Sequence, residues 1–318
     1  MHTNGNGSSH AYGDVNGSSA SAADTAVSAG PAFANEDFSH LTLYTGNTMR
    51  TGTTGQLNTN LKKSNQELVS AVQDTLLHSL DAAHIKGNAI TITDETILEP
   101  LEGDRSLYEI TVKMFYLSSP SQTGSTGASL SVEQLNVAIA DVEAALRIPE
   151  TKLDHFILAL PNQAFDENGM DESEVEAFTQ EIQTAVLPVW QKLSELRQAG
   201  KIGRLGVAEF SKQQLEILKR ISNEAELVAP EVNQVNLQDC CVLPKDLISY
   251  AKEEGIELLT HGDATNILPE DTFAALLKPH LPVAATSLTP NFVLKYSAFI
   301  TCRGLITKKG YIVDASSV

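Results

Sequence analysis

Short apolar segments alternate with helix-like segments from Leu41 almost to the end of the chain, and this alternation constrains the fold more than any other feature. The apolar segments are often β-branched, which is typical of strands in a buried parallel sheet. The strand candidates are Leu41–Tyr44, Ala89–Ile92, Tyr108–Phe115, His155–Leu160, Arg204–Val207, Glu231–Asn236, Glu257–Thr260 and Leu305–Thr307. Helical patterns lie between most of them, at Ser64–Leu80, Ser131–Leu146, Glu174–Gln198, Ser211–Ile221, Pro244–Glu254, Asp271–Leu277 and Pro290–Phe299. This order predicts an α/β protein with a mainly parallel sheet.

The number and spacing of these units favour a (β/α)8 barrel, the TIM barrel. A doubly wound sheet is the alternative, although the chain has no Gly-rich dinucleotide motif and no Walker loop. In two places the chain is too short for a complete strand–helix unit. Asp94–Leu107 leaves 14 residues between strands two and three, and the chain stops at Val318, just after the last predicted strand. We therefore expect a barrel that is reduced around strands two to three and at the C-terminus.

The N-terminal segment has a different composition from the rest of the chain. Of the first 30 residues, 20 are Gly, Ser, Ala or Asn, and no hydrophobic period appears. Such a segment cannot bury enough apolar surface to offset the entropy lost on ordering. We predict a disordered tail over residues 1–37 and a barrel domain over residues 38–318.

The charge of the chain and its cysteine content limit the classes of binding partner and the cellular compartment that can be expected. The chain carries 40 acidic and 22 basic side chains, a formal net charge of -18, so neither nucleic acid nor an anionic membrane is expected as a partner. Three cysteines cannot form a disulfide framework, and the N-terminus has no apolar leader and no Lys or Arg before Arg50. These features predict a cytoplasmic protein. The histidines show no metal-ligand spacing, so no metal site is expected.

Several strings of residues resemble the aldo-keto reductase family in the order of its fourth to seventh strands. They are Leu153–Pro161, Val189–Leu193, Gly200–Val207, Asn233–Val235 and Gly255–Leu259. Each string is a weak signal by itself, but five in the right order point strongly to that fold. The resemblance implies a barrel of aldo-keto reductase type.

A narrower set of strings is similar to the family of glutamate–cysteine ligase regulatory (modifier) subunits, which are non-catalytic aldo-keto reductase-like barrels. They are Leu43–Asn47, Asn233–Leu237, Cys240–Val242, Leu258–His261, Arg303–Ile306 and Lys308–Tyr311. This resemblance implies that the chain binds the ligase catalytic subunit in glutathione synthesis. It also implies that the complex responds better to substrate and is less inhibited by glutathione.

The resemblance also identifies catalytic residues that reductases of this family need and that this chain lacks. Reductases of this fold use a tyrosine acid, a lysine with a partner aspartate, and a histidine that orients the substrate. Lys113 resembles the lysine, whereas Ala159 stands where the histidine belongs. The tyrosines before Lys113 are Tyr12, Tyr44 and Tyr108, and none matches the family position. We therefore predict no catalytic residues, with Lys113 as a remnant or as a strand-end lysine paired with a carboxylate.

The residues that hold the nicotinamide in the family are mostly replaced. Ala208 and Glu209 stand in place of a Ser-Asn pair, and His261 stands in place of a stacking aromatic ring. Gln234 is retained and is the one candidate cofactor contact. Because Glu209 adds negative charge where an anionic ligand would lie, no bound cofactor is expected.

Two features are candidate contacts with a partner subunit. Cys240 and Cys241 follow the sixth strand, where they form either a redox-sensitive contact or a pair of buried thiols. An acidic run follows the fourth strand, at Asp166, Glu167, Asp171, Glu172, Glu174 and Glu176. This run either suits a helix N-terminus or attracts a basic patch on the partner. A divergent NADPH-dependent reductase and a nicotinamide-sensing module are the alternatives to a regulatory subunit.

Overall fold

The computed structural model describes residues 33, 35–49, 64–117, 130–147, 152–237 and 242–317. The strands are β1 His40–Tyr44, β2 His84–Lys86, β3 Ala89–Thr93, β4 Tyr108–Tyr116, β5 Leu153–Ala159, β6 Ile202–Ala208, β7 Val232–Asn236, β8 Glu257–His261, β9 Leu288–Ile300 and β10 Leu305–Ser317. The helices are α1 Ser64–Ser79, α2 Val132–Leu146, α3 Glu172–Glu181, α4 Leu187–Gln198, α5 Lys212–Glu224, α6 Lys245–Glu254, α7 Glu270–Leu277 and α8 Ala284–Ser287. A π-helical turn, Ile182–Val186, joins α3 to α4.

The described strands form one ten-stranded sheet in the order β2-β3-β1-β10-β9-β4-β5-β6-β7-β8. Strands β4 to β8 are parallel and lie in chain order, and β1 pairs with β3 in parallel. The antiparallel hairpin of β9 and β10 lies between β1 and β4. The α/β class with a mainly parallel sheet, as predicted from the sequence, is confirmed.

The two faces of the sheet are covered by different helices because alternate residues of each strand point in opposite directions. From β4, Ile110, Val112 and Met114 join an apolar cluster with α2, α4, α5 and α6. Phe115 points to the other face, where it shares a cluster with α1 and α7. Alternate residues of β4 thus belong to two separate apolar clusters.

The sheet curls strongly toward the face that carries Lys113 and Phe115. Strands β4 and β8 are four positions apart in the sheet, which corresponds to about 19 Å if the sheet were flat. Nevertheless the Lys113 Nζ lies 2.9 Å from the Oδ2 of Asp263, two residues after β8. The carboxyl ends of the parallel strands therefore converge on a common centre.

Two predictions for the C-terminal region were wrong. Pro290–Phe299, predicted as a helix, lies within β9, because Phe292, Leu294, Tyr296 and Ala298 recur every second residue and are all buried. Leu305–Thr307, predicted as the eighth barrel strand, is only the start of β10, which is antiparallel to its neighbours β9 and β1. Strand β2 was not predicted.

The shortening between the second and third predicted strands is confirmed. Residues 94–107 contain two 3-10 turns, Glu95–Leu98 and Arg105–Leu107, and no α-helix. The predicted tail over residues 1–37 lies largely outside the described residues and stays a prediction. In the part of the chain that the structure describes, no helix is long and apolar enough to cross a bilayer.

Candidate functional site

Lys113 lies at the centre on which the parallel strands converge. Its side chain points from β4 into the concave face and the residue is only 3% exposed. The ammonium donates to Asp263 Oδ2 at 2.9 Å, lies 3.4 Å from both ring nitrogens of His261, and sits 4.8 Å from the centre of the Phe115 ring. Burial lowers the pKa of Lys113, whereas the Asp263 carboxylate opposes that shift. A buried ammonium of this kind needs such a partner to remain charged.

A second lysine reaches the same carboxylate. The Lys295 Nζ, from β9, lies 2.6 Å from Asp263 Oδ1, so each oxygen of Asp263 accepts from one ammonium. Burial alone would raise the pKa of Asp263, but the contact with His261 and the two ammonium groups lower it well below its ordinary value. Asp263 is thus an ionised carboxylate held between two cations.

His261 extends this network to Glu209. The backbone N–H of Asp263 lies 3.0 Å from His261 Nδ1, and His261 Nε2 lies 2.6 Å from Glu209 Oε1. The other oxygen, Glu209 Oε2, accepts from the backbone N–H groups of Phe165 at 3.2 Å and Asn236 at 3.3 Å. The network therefore ties β4 to the end of β7 and to the segments that follow β5, β6 and β8.

An acidic groove of about 400 Å³ lies beside this network. It runs between the segment after β5 and the first turns of α5 and α6. Its apolar lining includes Phe165 and Leu247, and its carboxylates come from Asp166, Glu167, Glu216 and Asp246. Lys212 also lines the groove, 3.6 Å from Glu216. The groove thus combines apolar surface with an excess of negative charge.

The remaining predicted acidic residues begin helix α3. Asp171 accepts from the backbone N–H of Glu174, whose carboxylate accepts from the Asp171 N–H in return, forming a capping box. The hydrogen bond from the Glu174 N–H, together with one from the Ser173 hydroxyl, lowers the pKa of Asp171. Glu172 lies in the first turn of the same helix. The structure therefore assigns part of the acidic run to a helix start and places Asp166 and Glu167 in the groove.

A family model, the aldo/keto reductase family, matches residues 48–263. The chain belongs to the aldo/keto reductase family. The predicted fold type is confirmed. A solved aldo-keto reductase from a Medee basin deep-sea metagenome library is 18% identical, with a TM-score of 0.30 over 47% of this chain and 42% of that one.

Among curated proteins, this family member is similar to the glutamate–cysteine ligase regulatory subunits of Mus musculus and Homo sapiens. Identity to each is 40% over 129 residues, which are 40% of this chain and 46% of the relative. The match thus spans about half the length of these relatives. A putative glutamate–cysteine ligase regulatory subunit of Schizosaccharomyces pombe is 27% identical over 290 residues, 87% of this chain and 96% of that protein. The resemblance to glutamate–cysteine ligase regulatory subunits that was predicted from the sequence is confirmed.

In this aldo/keto reductase family member, the positions compared with reductases lie around the Lys113 network. Ala159 is buried at the end of β5, in the same apolar cluster as Ala208. Gln234, on β7, has a buried Oε1 with no hydrogen-bond donor among the described residues. Tyr12, Cys240 and Cys241 lie outside the described residues, so the predicted contact of the two cysteines with a partner stays a prediction.

Tyr44 and Tyr108, the other tyrosines considered as a catalytic acid, form hydrogen bonds away from Lys113. The Tyr44 hydroxyl donates to Asp141 Oδ1 at 2.6 Å, and burial and that carboxylate raise the pKa of Tyr44. The Tyr108 hydroxyl donates to a backbone carbonyl in the preceding loop. Within the described residues, the polar contacts of the Lys113 ammonium are to Asp263 and His261, and none is to a tyrosine.

Two residues of the network were missed by sequence reasoning. Asp263 comes three residues after the predicted strand Glu257–Thr260, in the region where barrel sites form, and this position was the signal for it. Sequence reasoning missed Lys295 because its segment, Pro290–Phe299, was predicted as a helix. In β9 it stands opposite Lys113, which brings the two ammonium groups together.

Proposed function

We propose that this chain is a regulatory subunit of glutamate–cysteine ligase. In this role it binds the catalytic subunit, increases its response to substrate and reduces its inhibition by glutathione. Support comes from the named regulatory subunits among its relatives, one of which aligns over 290 residues. Such a subunit acts by binding one conformation of the enzyme better than another, and a coupling of about 1–3 kcal/mol changes apparent affinity 5- to 150-fold.

The observation that carries this proposal is the environment of Lys113. A reductase lysine tunes a tyrosine hydroxyl, but this ammonium is bound to Asp263 and His261. The histidine position holds the buried Ala159, which has no group to donate. Loss of a general acid typically costs ~10²–10⁴-fold in rate. A barrel with this centre is suited to binding a partner rather than to carbonyl reduction.

The residues that would hold a nicotinamide cofactor fit it poorly. The Glu209 carboxylate is buried and hydrogen-bonded to two backbone N–H groups and to His261. A dinucleotide is itself anionic, so a fixed buried carboxylate in its path is repulsive. We therefore expect no tight NADPH binding and assign no step to this cofactor.

The acidic groove is the proposed contact with the catalytic subunit. Asp166 and Glu167 give it negative charge beside the apolar Phe165 and Leu247. This combination suits a basic segment of the partner that carries an apolar side chain, because charge complementarity guides association and apolar burial holds the complex. Cys240 and Cys241, which follow β7, remain candidate contacts with the catalytic subunit in this proposal.

Co-purification with the ligase catalytic subunit tests the proposal. Glutamate dependence and glutathione inhibition are then measured with and without this chain. We expect a stable complex, a lower apparent KM for glutamate and a higher glutathione concentration for half-inhibition. A catalytic subunit that neither co-purifies nor changes its kinetics would contradict the proposal.

A divergent reductase is the second candidate, favoured by the retained pairing of Lys113 with an aspartate and by Gln234. NADPH oxidation by the purified chain across a panel of aldehydes separates the two functions. Turnover above the rate of a Lys113→Met variant would favour the reductase. Micromolar NADPH affinity without turnover would favour a nicotinamide sensor.

A further inference from the structure

Glu209 has an unusual backbone conformation for a glutamate. It follows β6, its φ is 64°, and its side chain is buried. A residue with a Cβ is strained in this left-handed region and persists there only where the surrounding structure requires it. Strain of this kind is typical of functional sites rather than of ordinary loops.

The contacts of Glu209 join the Lys113 network to the segment between β5 and α3. Its Oε1 lies 2.6 Å from His261 Nε2, and its Oε2 accepts from the Phe165 N–H at 3.2 Å. Its backbone carbonyl accepts from Gln163 Nε2 at 2.8 Å. This segment contains no helix or strand. Glu209 therefore holds an irregular stretch of chain at two points.

A second tether holds the other end of the segment to α5. The Met170 N–H donates to Gln213 Oε1 at 2.6 Å. Asp166 and Glu167, two exposed carboxylates of the acidic groove, lie between the tethers. Because no regular secondary structure fixes them, their position in the groove depends on these tethers.

We propose that Glu209 is a positioning residue that fixes the shape of the acidic groove. It anchors the segment that carries Asp166 and Glu167 to the buried Lys113 network. An ordered segment loses less conformational entropy on binding than a mobile one, so this anchor strengthens association with a partner that occupies the groove. The inference rests on the proposed function for the identity of that partner, the ligase catalytic subunit.

Hydrogen exchange of the full chain alone, measured by mass spectrometry, tests the anchor without the ligase. Glu209→Leu removes the acceptor and keeps a side chain of similar size. We expect it to speed exchange of the amides of residues 163–169 about tenfold. Equal exchange of this segment in the wild type and Glu209→Leu would overturn the proposal.

Glu209→Gln separates the charge of this residue from its hydrogen-bond acceptor. The amide keeps one acceptor oxygen, but hydrogen bonds to a neutral group are weaker, so we expect a smaller rise in exchange than for Glu209→Leu. If Glu209→Leu does not fold, the glutamine variant decides. Exchange of residues 163–169 that is unchanged in Glu209→Gln would then overturn the proposal.

Two other glutamates provide matched controls. Glu226 is exposed and has a φ of 58°, so Glu226→Leu makes the same substitution in a similar backbone conformation. Glu231 Oε2 accepts from the Leu205 N–H at 2.9 Å, so Glu231→Leu removes a comparable hydrogen bond and leaves Glu209 intact. Neither variant should change exchange of residues 163–169. A rise as large for Glu231→Leu as for Glu209→Leu would indicate general destabilisation and contradict the proposal.

Association with the ligase catalytic subunit tests the consequence for binding. We expect Glu209→Leu to bind about tenfold more weakly, mainly through faster dissociation. Asp166 and Glu167 retain their charge, so the salt dependence of association should stay close to that of the wild type. Faster exchange with unchanged affinity would overturn the role of the anchor in binding. If the wild type itself forms no complex, the proposed function fails, whereas the exchange measurement still decides whether Glu209 positions the segment.

Discussion

Lys113 and Lys295 stand directly opposite each other in the antiparallel ladder of β4 and β9, and both ammonium groups bind the one carboxylate of Asp263. Like charges at opposed positions destabilise a sheet unless a counter-charge lies between them. Asp263 supplies that charge from the segment after β8. The carboxylate therefore stabilises both the centre of the site and the curl of the sheet.

Removing the charge of Asp263 should destabilise the protein strongly. We expect Asp263→Asn to reduce the free energy of unfolding by about 3–5 kcal/mol, because the buried Lys113 ammonium and the partly buried Lys295 ammonium both lose this counter-charge. Urea denaturation measures this loss. Asp81→Asn, which changes an exposed carboxylate, is the control and should have little effect. A loss for Asp263→Asn no larger than that of the control would contradict the assigned role.

The contribution of Asp263 should also depend on pH. Its pKa in the folded protein is below the ordinary value of 3.8. Above pH 3.8 the carboxylate is ionised in both states and its contribution is complete. As the pH falls below that value, the unfolded chain takes up a proton that the folded protein does not, so stability decreases. The difference in the free energy of unfolding between wild type and Asp263→Asn should therefore shrink on acidification. Urea denaturation at a series of pH values measures this difference. A difference that stays constant with pH would contradict the prediction.

Lys308 should be essential for joining the hairpin to α2. Its buried ammonium donates to the carbonyls of Ile97 at 2.5 Å, Glu99 at 2.7 Å and Ala145 at 2.8 Å. Lys308→Met removes all three donors, and we expect a loss of at least about 3 kcal/mol in the free energy of unfolding. Lys252→Met, at an exposed position on α6, provides the comparison. Equal stability of the two variants would show that these hydrogen bonds contribute nothing.

Gly206 should not tolerate a side chain. It pairs with Val232 of β7, and a Cβ at residue 206 would lie 2.7 Å from the Val232 Cβ and 2.9 Å from its carbonyl oxygen. Gly206→Ala is expected to cost about 1–3 kcal/mol or more, since the two strands must move apart. At Gly169 the nearest atom to an added Cβ is 3.4 Å away, so Gly169→Ala is the control. Thermal unfolding of both variants checks the difference.

The acidic groove should accelerate association with the ligase catalytic subunit if the proposed function holds. We expect Asp166→Asn combined with Glu167→Gln to slow association several-fold at low salt and to weaken its dependence on ionic strength. The double variant Asp81→Asn with Glu133→Gln removes the same charge at exposed positions elsewhere and should associate normally. Stopped-flow measurements at low and physiological salt decide between these outcomes. Identical salt dependence for both double variants would assign the contact to another surface.

The sequence predicted the parallel strands well because their apolar residues are consecutive and bounded by helical patterns. It failed at β9, where Phe292, Val293, Leu294 and Tyr296 fit a helical period as well as an alternating one. The site was predictable only in part. Lys113 and His261 were identified by their place in family strings, but the bond between Lys113 and Asp263 joins residues 150 positions apart. No local pattern encodes that contact, since it depends on the curl of the whole sheet.

The β9–β10 hairpin sets the order in which this protein can be completed during synthesis. Strands β1 and β4 do not pair with each other; they are joined through β10 and β9. A growing chain on the ribosome can therefore assemble β4 to β8 with their helices early, whereas the pair of β1 and β3 joins that sheet only once residues 288–317 are made. Contacts of such large sequence separation close slowly. Until then one edge of β1 and one edge of β4 remain unpaired, which makes this interval the one in which a nascent chain most needs protection from aggregation.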